Sequence, residues 1–314
     1  MSKLLVVFGA TGQQGGSVIN FVLNDPELSK QYSVRAITRT ASSPAAQELQ
    51  KRGVDVVVAD LDDPASLPAA LATAHSLFIA TVSIYDEHIM SRELRQVKAI
   101  ADTAVAAGAQ FIIFSTCVAA ERLWGRRVPG FDSKAQAEAY IRTLPVKCAF
   151  FAPGMFMQNF LGPNAPRLLH SQEGQEPTYA IANFISPDAQ LPLIETVEDS
   201  GKYVGAMLAD PDKYHGNVFC AATGLYSYQQ VVEIITRITG KKTIYAQLPH
   251  EEWVKYLPPG FADPMTAMFR FIENPGYYGP QTKEEVEWAV GQARGKLTTF
   301  EEFVEKHSQK LFVQ

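Results

Sequence analysis

LLVVFGATGQQGGSVINFVL, residues 4–23, carries the strongest structural signal in the chain. Leu4 to Phe8 is a nearly continuous apolar run, which is typical of a parallel strand buried on both faces. A glycine-rich turn follows, and Ser17 to Leu23 then places apolar side chains at helical spacing before the Asn24-Asp25-Pro26 break. The stretch therefore predicts a strand, a tight turn and a helix.

The same alternation continues along the first half of the chain. Ser43, Pro44 and Gly53, for example, are typical of the N-cap, first turn and C-terminal stop of one helix. The other predicted strands are Ser33–Thr38, Val54–Ala59, His75–Val82, Gln110–Ser115 and Val146–Ala152, and the other helices include Ser91–Ala107 and Lys134–Arg142. This order predicts an α/β class with a doubly wound parallel sheet, the Rossmann fold, over residues 1–153.

The rhythm changes after Pro153, where loops rich in Pro, Asn and aromatic residues begin. Helical periodicity is clear at Tyr228 to Thr239, which ends at Gly240, and again around Thr298 to Leu311. We expect residues 154–314 to complete the sheet and to form a smaller α/β lobe that binds a substrate or partner.

Composition and charge exclude several function classes. The chain has 314 residues, of which 46% are hydrophobic and 19% charged, as in globular proteins rather than disordered or fibrous ones. The formal net charge is −5 and no basic run occurs, so we expect neither direct nucleic-acid binding nor a membrane partner. The apolar run before Gly9 has only five residues, too short for a signal peptide or membrane span. A cytoplasmic location is expected, and a nuclear one is also open.

The three cysteines are too far apart for a metal site. Cys117, Cys148 and Cys220 have no second Cys or His at ligand spacing, so no metal is predicted. Cys117 and Cys148 lie inside apolar, strand-like runs, which favours buried, reduced thiols.

The glycine-rich turn indicates a nucleotide site. Gly9, Gly12 and Gly15 lie directly between the first strand and the first helix, where glycines let the backbone approach a pyrophosphate and free N–H groups attract the anion. The spacing is GxxGxxG, whereas most classical dehydrogenases have GxGxxG. Thr11 and Gln13 are placed to hydrogen-bond phosphate or ribose.

The end of the second strand favours NADP over NAD. NAD sites usually carry an Asp or Glu there for the ribose 2′-hydroxyl, but this strand ends in Thr38-Arg39. Arg39 can pair in a fork with a 2′-phosphate, although a solvated strand-end arginine is the alternative. Asp60, after the third strand, is placed to meet the adenine amino group or merely to begin a turn.

The catalytic acid that reductases on such a sheet commonly use is missing. Such enzymes commonly use Tyr with Lys four residues later on one helix face. Lys134 lies where that lysine is expected and can bind the nicotinamide ribose, but position 130 is Gly. Ser115, Thr116 and Tyr85 are the substitute donors, each with an ordinary structural role as its alternative.

Two further segments border the predicted site. PGMFMQNF, residues 153–160, leaves the carboxyl end of the sixth strand and is expected along the nicotinamide and an apolar cavity, or simply in the core. Arg122, Arg126 and Arg127 surround Trp124 and form either an anion clamp or a solvated, mobile loop.

With these residues in place, the chain resembles the NmrA-like family of atypical short-chain dehydrogenase/reductase proteins, in particular a branch with fungal nitrogen-metabolite repressors and a human NADPH sensor. The motifs are FGATGQQGGSV at 8–18, ITR at 37–39, FDSKAQAEAYI at 131–141, PGMFMQNF at 153–160 and VEDSGKYVGAMLADPDKYHG at 197–216. One departure is the Thr40–Ser43 stretch, where some relatives carry a basic residue. The resemblance implies that several members lack the catalytic Tyr and sense redox state through NADP(H), whereas others are reductases.

The sequence thus gives a set of predicted cofactor contacts and competing functions. The contacts are Gly9, Ala10, Thr11, Gly12, Gln13, Gln14, Gly15, Arg39, Asp60, Leu61, Thr81, Val82, Ser83, Lys134, Gly154, Met155, Phe156 and Met157. The first functional hypothesis is an NADP(H) sensor that regulates a protein partner. The others are an NADPH-dependent reductase of a small apolar or aromatic carbonyl, imine or alkene, and an interaction module that needs no nucleotide.

Overall fold

A computed structural model describes residues 2–170 and 176–312. Its strands, in chain order, are β1 (Lys3–Phe8), β2 (Tyr32–Thr38), β3 (Asp55–Val58), β4 (Ser76–Ile79), β5 (Phe111–Ser115), β6 (Lys147–Pro153), β7 (Met155–Phe156), β8 (Arg167–His170), β9 (Thr178–Asn183), β10 (Gln190–Ile194), β11 (Val218–Ala221), β12 (Gly224–Ser227) and β13 (Thr243–Gln247). The helices are α1 (Gln13–Asn24), α2 (Leu28–Gln31), α3 (Pro44–Lys51), α4 (Leu67–Leu71), α5 (Ile89–Ala106), α6 (Ala120–Trp124), α7 (Pro129–Ile141), α8 (Thr196–Ala209), α9 (Tyr228–Thr239), α10 (His250–Trp253), α11 (Ala262–Glu273), α12 (Thr282–Gln292) and α13 (Phe300–His307).

The central sheet has seven parallel strands in the order β11-β6-β5-β4-β1-β2-β3. Strand order reverses between β1 and β4, and a crevice for ligands opens at such a switch point. The predicted doubly wound sheet is confirmed. Its seventh strand, β11, comes from the second half of the chain.

Alternating side chains of the strands fill two apolar layers. In β1, Leu5 and Val7 face the layer that helices α1 and α8 cover, whereas Val6 and Phe8 face the layer under α4, α5 and α7. All four side chains are at most 1% exposed. Burial on both faces explains why β1 is apolar at successive positions.

The smaller lobe follows β6. Its two three-stranded sheets have the orders β12-β10-β7 and β13-β9-β8, and helices α9, α11 and α13 pack against a third apolar cluster. The predicted smaller α/β lobe is thus present. No helix in the described ranges 2–170 and 176–312 has the length and apolarity needed to cross a bilayer.

Several predicted boundaries are wrong. Helix α7 begins at Pro129, not Lys134, because proline fits the first helical turn, and this places Gly130 on the same helix as Lys134. Strand β4 ends at Ile79 rather than Val82, since the following residues turn away to bind α5. Cys117 lies beyond β5 and is half-buried, not inside a strand. Helices α8, α11 and α12 were not predicted at all.

Candidate functional site

The glycine loop is built for close backbone approach. Gly9 has φ +72°, in the left-handed region, and a Cβ atom on Gly15 would lie 2.3 Å from the carbonyl oxygen of Gly9. Gly12 is the N-cap of α1 and supplies no side-chain acceptor, so the first-turn N–H groups of the helix remain free for an outside anion. This geometry fits the pyrophosphate of a dinucleotide, as the spacing predicts.

The loop lies against the end of β4. A Cβ atom on Gly9 would be 2.8 Å from the carbonyl oxygen of Ala80. The next residues, Thr81 to Ser83, leave the sheet beside the loop; Val82 is 76% exposed, whereas Thr81 and Ser83 both hydrogen-bond Glu93 of helix α5. Of the three predicted cofactor contacts in this segment, Val82 therefore has an exposed side chain, whereas the hydroxyls of Thr81 and Ser83 are already hydrogen-bonded to Glu93.

Arg39 and Asp60, the residues predicted to contact the adenosine half of the cofactor, follow β2 and β3. Arg39 is exposed just after β2, whereas Arg35, within β2, is bound to Asp55 at 2.7 Å. Asp60 Oδ1 accepts a hydrogen bond from the backbone N–H of Asp62 at 3.0 Å, so this carboxylate does begin a turn. Leu61 is half-buried and packs on the core.

Lys134 and Glu93 form a buried ion pair at the other side of the crevice. Lys134 Nζ also donates to Thr81 Oγ1 at 2.9 Å, and Ser133 Oγ donates to Glu93 Oε2 at 2.5 Å. Glu93 is only 3% exposed. Burial alone would raise the pKa of Glu93, but the Lys134 charge and the hydroxyl donors outweigh it and hold that pKa below its usual range. The Glu93 carboxyl is therefore charged at neutral pH.

Glu93 was missed by the sequence reasoning, although a signal for it existed. Helix α5 buries Ile89, Glu93, Gln96, Val97 and Ile100, which share one face at helical spacing. A carboxylate on the inward stripe of an amphipathic helix needs a cationic partner. Lys134, 41 residues later, supplies it.

The hydroxyl group of Tyr85 occupies the space beside Gly130. A Cβ atom at position 130 would lie 2.6 Å from Tyr85 Oη, well inside contact distance. Burial, with Cys117 and Glu93 nearby, raises the pKa of Tyr85 to about 12. The phenol therefore reaches helix α7, but it is a weaker acid than an ordinary tyrosine.

Both hydroxyls at the end of β5 already have partners. Ser115 Oγ donates to Gln14 Oε1 at 2.6 Å, which ties β5 to the first turn of α1. Thr116 Oγ1 donates to Glu138 Oε2 at 2.8 Å. To activate a carbonyl, either hydroxyl would have to exchange its present acceptor for the substrate.

The segment after β6 turns most of its side chains away from the crevice. Met155 is 7% exposed and Met157 fully buried in the apolar core of the smaller lobe, while Phe156 is half-buried. Gly154 joins β6 to β7. A cofactor contact from Met157 would have to come from its backbone.

The arginines around Trp124 do not converge. Arg127 pairs with Glu121 at 3.1 Å, and Arg126 lies over the Trp124 ring, 5.3 Å from its centroid. Arg122 instead lines a separate cavity of about 560 Å³ between α7 and α12. The three guanidinium groups therefore do not point at one site, and the anion-clamp interpretation is not supported. The loop interpretation needs correction for Arg122 alone, because residues 120–124 form helix α6, whereas Arg126 and Arg127 lie in the loop before α7.

Comparison with known proteins places this geometry in a family. The chain matches the model of the NmrA-like family over residues 1–304. It is 30% identical to the NmrA-like family domain-containing oxidoreductase ptmS of Penicillium ochrochloron, over 88% of this chain and 85% of that protein.

Solved structures share the fold at low sequence identity. NmrA, described as a negative transcriptional regulator in complex with NADP, has a TM-score of 0.80 at 22% identity, covering 97% of this chain and 95% of NmrA. NmrA has also been solved in complex with NAD. The triphenylmethane reductase of Citrobacter sp. has a TM-score of 0.76 at 20% identity, covering 98% and 99% of the two chains. Since the family model spans nearly the whole chain, this protein belongs to the NmrA-like family.

Proposed function

We propose that this protein binds NADP(H) and acts as a redox-state sensor that regulates a protein partner. The observation that carries the proposal is the environment of Lys134. Four residues before it stands Gly130 instead of a tyrosine, and its ammonium group is paired with Glu93. The crevice offers binding groups, while burial raises the pKa of the phenol beside Gly130, Tyr85.

The cofactor assignment rests on the backbone first. The room left by Gly15 and the free first-turn N–H groups of α1 suit a pyrophosphate. Arg39, exposed at the end of β2, suits the 2′-phosphate that distinguishes NADP from NAD. The NmrA structures described with NADP and with NAD support dinucleotide binding in this fold, and Arg39 is the argument for NADP.

Arg39 therefore gives the first test of the cofactor. Arg39→Asp should weaken NADPH binding about 10-fold or more while leaving NADH binding within about twofold, because a charge-assisted hydrogen bond is lost and a repulsion gained. Isothermal titration calorimetry measures both affinities. Arg52→Asp, which changes another exposed arginine, one bound to Asn20, is the matched control. Unchanged NADPH affinity in Arg39→Asp would remove the assignment.

The sensor role needs more than binding. A ligand shifts a conformational equilibrium only by its difference in affinity for the two states. We therefore expect the affinities for NADP⁺ and NADPH to differ by about 10-fold or more, and hydrogen exchange in residues 81–88 to change with the tighter ligand. Equal affinities would contradict the sensor. So would turnover well above the uncatalysed rate with a panel of quinones, aldehydes and enones.

An NADPH-dependent reductase is the second candidate, because the Tyr85 hydroxyl lies where the helix lacks its tyrosine. A bound reduced nicotinamide would supply hydride, and Tyr85 would give the proton to an apolar or aromatic carbonyl, imine or alkene. The relatives named oxidoreductases also favour it. The high pKa of Tyr85 counts against it, since general acids work best with a pKa near the operating pH.

A further inference from the structure

The buried carboxylate of Glu93 has four side-chain partners, and none of them belongs to its own helix. It is paired with Lys134 and also accepts hydrogen bonds from the hydroxyl groups of Thr81, Ser83 and Ser133. These donors come from the loop after β4 and from helix α7, while Glu93 itself comes from α5. Three elements thus meet at one carboxylate beside the glycine loop.

We propose that Glu93 is a positioning residue that aims the Lys134 ammonium at the nicotinamide riboside of bound NADP(H). The inference rests on the proposed function, because Lys134 can contact the riboside only when the dinucleotide binds. Lysine has a long stem with many rotamers, and a fixed anion reduces the freedom that binding would otherwise have to remove. Glu93 and Thr81 together fix Nζ at the end of β4.

The position of the pair limits which half of the cofactor it affects. Lys134 lies against Thr81, on the β4 side of the crevice, whereas Arg39 and Asp60 follow β2 and β3, on the far side of β1. A ligand that lacks the nicotinamide riboside should therefore bind independently of Glu93. Adenosine 2′,5′-bisphosphate is such a ligand, because it carries only the adenosine and phosphate groups expected near Arg39.

The test compares two ligands in the full-length protein. In Glu93→Gln, NADPH affinity should fall about 10-fold or more, as expected for losing a hydrogen bond to a charged group. The affinity for adenosine 2′,5′-bisphosphate should stay within about twofold. Calorimetry measures both. A variant that only loosened the fold would weaken both ligands, and an unbalanced positive charge would strengthen both; either parallel change overturns the positioning role.

A matched control and a milder variant complete the test. Asp199→Asn removes a buried carboxylate from another lysine, Lys202, on helix α8, and should change neither affinity. Glu93→Asp keeps the charge but is one methylene shorter; if Glu93→Gln fails to fold, this variant should still lose NADPH affinity selectively, by about threefold or more. Unchanged selectivity in a folded Glu93 variant contradicts the inference alone. Failure of the unmodified protein to bind either ligand would overturn the proposed function as well.

Discussion

Two buried carboxylates pair with lysines at different places in this molecule, and the pKa values of the two carboxyls are shifted in opposite directions. Glu93 and Lys134 meet between helices α5 and α7 at the crevice, whereas Asp199 and Lys202 lie within α8. Asp199 is fully buried and accepts from the Thr298 backbone N–H at 2.8 Å, which ties α8 to the segment before α13.

The two carboxyls differ in whether their partners outweigh burial. Burial is the largest influence on both, and it raises the pKa of Asp199 despite Lys202 and Thr298. At Glu93 the lysine and the surrounding hydroxyls overcome burial, and the pKa is lowered. The structure therefore favours a charged group at the crevice and penalises one in α8. A carboxylate that holds a binding lysine in place has to be charged, whereas a buried structural contact does not.

Replacing each carboxylate by its amide should give the largest difference in stability between the two pairs. Glu93→Gln leaves the Lys134 ammonium buried without a counter-charge, so the free energy of unfolding at pH 7 should fall by about 3 kcal/mol or more. Asp199→Asn should cost less, because burial already opposes the charge of Asp199. Urea denaturation at pH 7 measures both. A larger loss for Asp199→Asn would reverse the assignment of the two pairs.

The pH dependence of the same variants has opposite signs. A carboxyl whose pKa is lowered on folding adds stability above its ordinary value, 4.5 for Glu93, and loses it as pH falls through the lowered pKa. One whose pKa is raised loses stability as pH rises from its ordinary 3.8 through the raised value. On acidification, the stability gap between unmodified protein and Glu93→Gln should shrink, while the Asp199→Asn gap should grow. Parallel gaps between about pH 3 and 7 would contradict this.

Helix α1 makes a close glycine contact at each of the two regions, one with the glycine loop at the crevice and one with helix α8. A Cβ atom would lie 2.3 Å from Gly9 O if placed on Gly15, and 2.4 Å from Phe21 Cβ if placed on Gly201 of α8. Gly15→Ala and Gly201→Ala should each lose about 1–3 kcal/mol of stability through overpacking. Only Gly15→Ala should lose NADPH affinity, by about 10-fold or more, since it distorts the phosphate loop.

Thermal denaturation and NADPH calorimetry on the same samples separate these effects. Gly16→Ala is the control, because the nearest atom to its added Cβ lies at 3.7 Å, an ordinary contact. Equal losses of affinity in Gly15→Ala and Gly201→Ala would mean that the glycine loop has no special role in binding.

The two regions also differ in how far the sequence predicts them. The glycine loop and the first strands can be predicted from local patterns, because the apolar run LLVVF is typical of a buried strand and the glycines after it are typical of a tight turn. Helix α8 could not be predicted because it contains two glycines and is buried almost all round; Tyr203, Val204 and Met207 are all fully buried, which leaves little amphipathic period.

The partners at the candidate site could not be predicted from local patterns. Lys134 was found through its place after β5, but Glu93 is 41 residues away from it. Tyr85 reaches Gly130 only because the loop after β4 folds over α7. Such pairs depend on how helices and loops pack across the sheet, and a periodic pattern in one segment does not contain that information.

Tyr85→Phe is the smallest change and decides between the two functional candidates. It removes one hydroxyl beside Gly130 and leaves the Glu93–Lys134 pair intact. If the protein is a sensor, NADP⁺ and NADPH affinities should stay within about twofold, and stability within about 0.5 kcal/mol. If it is a reductase, turnover of a substrate found by the panel should fall about 10²- to 10⁴-fold at unchanged NADPH affinity, as for loss of a general acid. Gly130→Tyr alone does not give the reciprocal test, because the new side chain would meet the Tyr85 hydroxyl. The double variant Gly130→Tyr with Tyr85→Ala does give it, since it returns a phenol to the helix of Lys134.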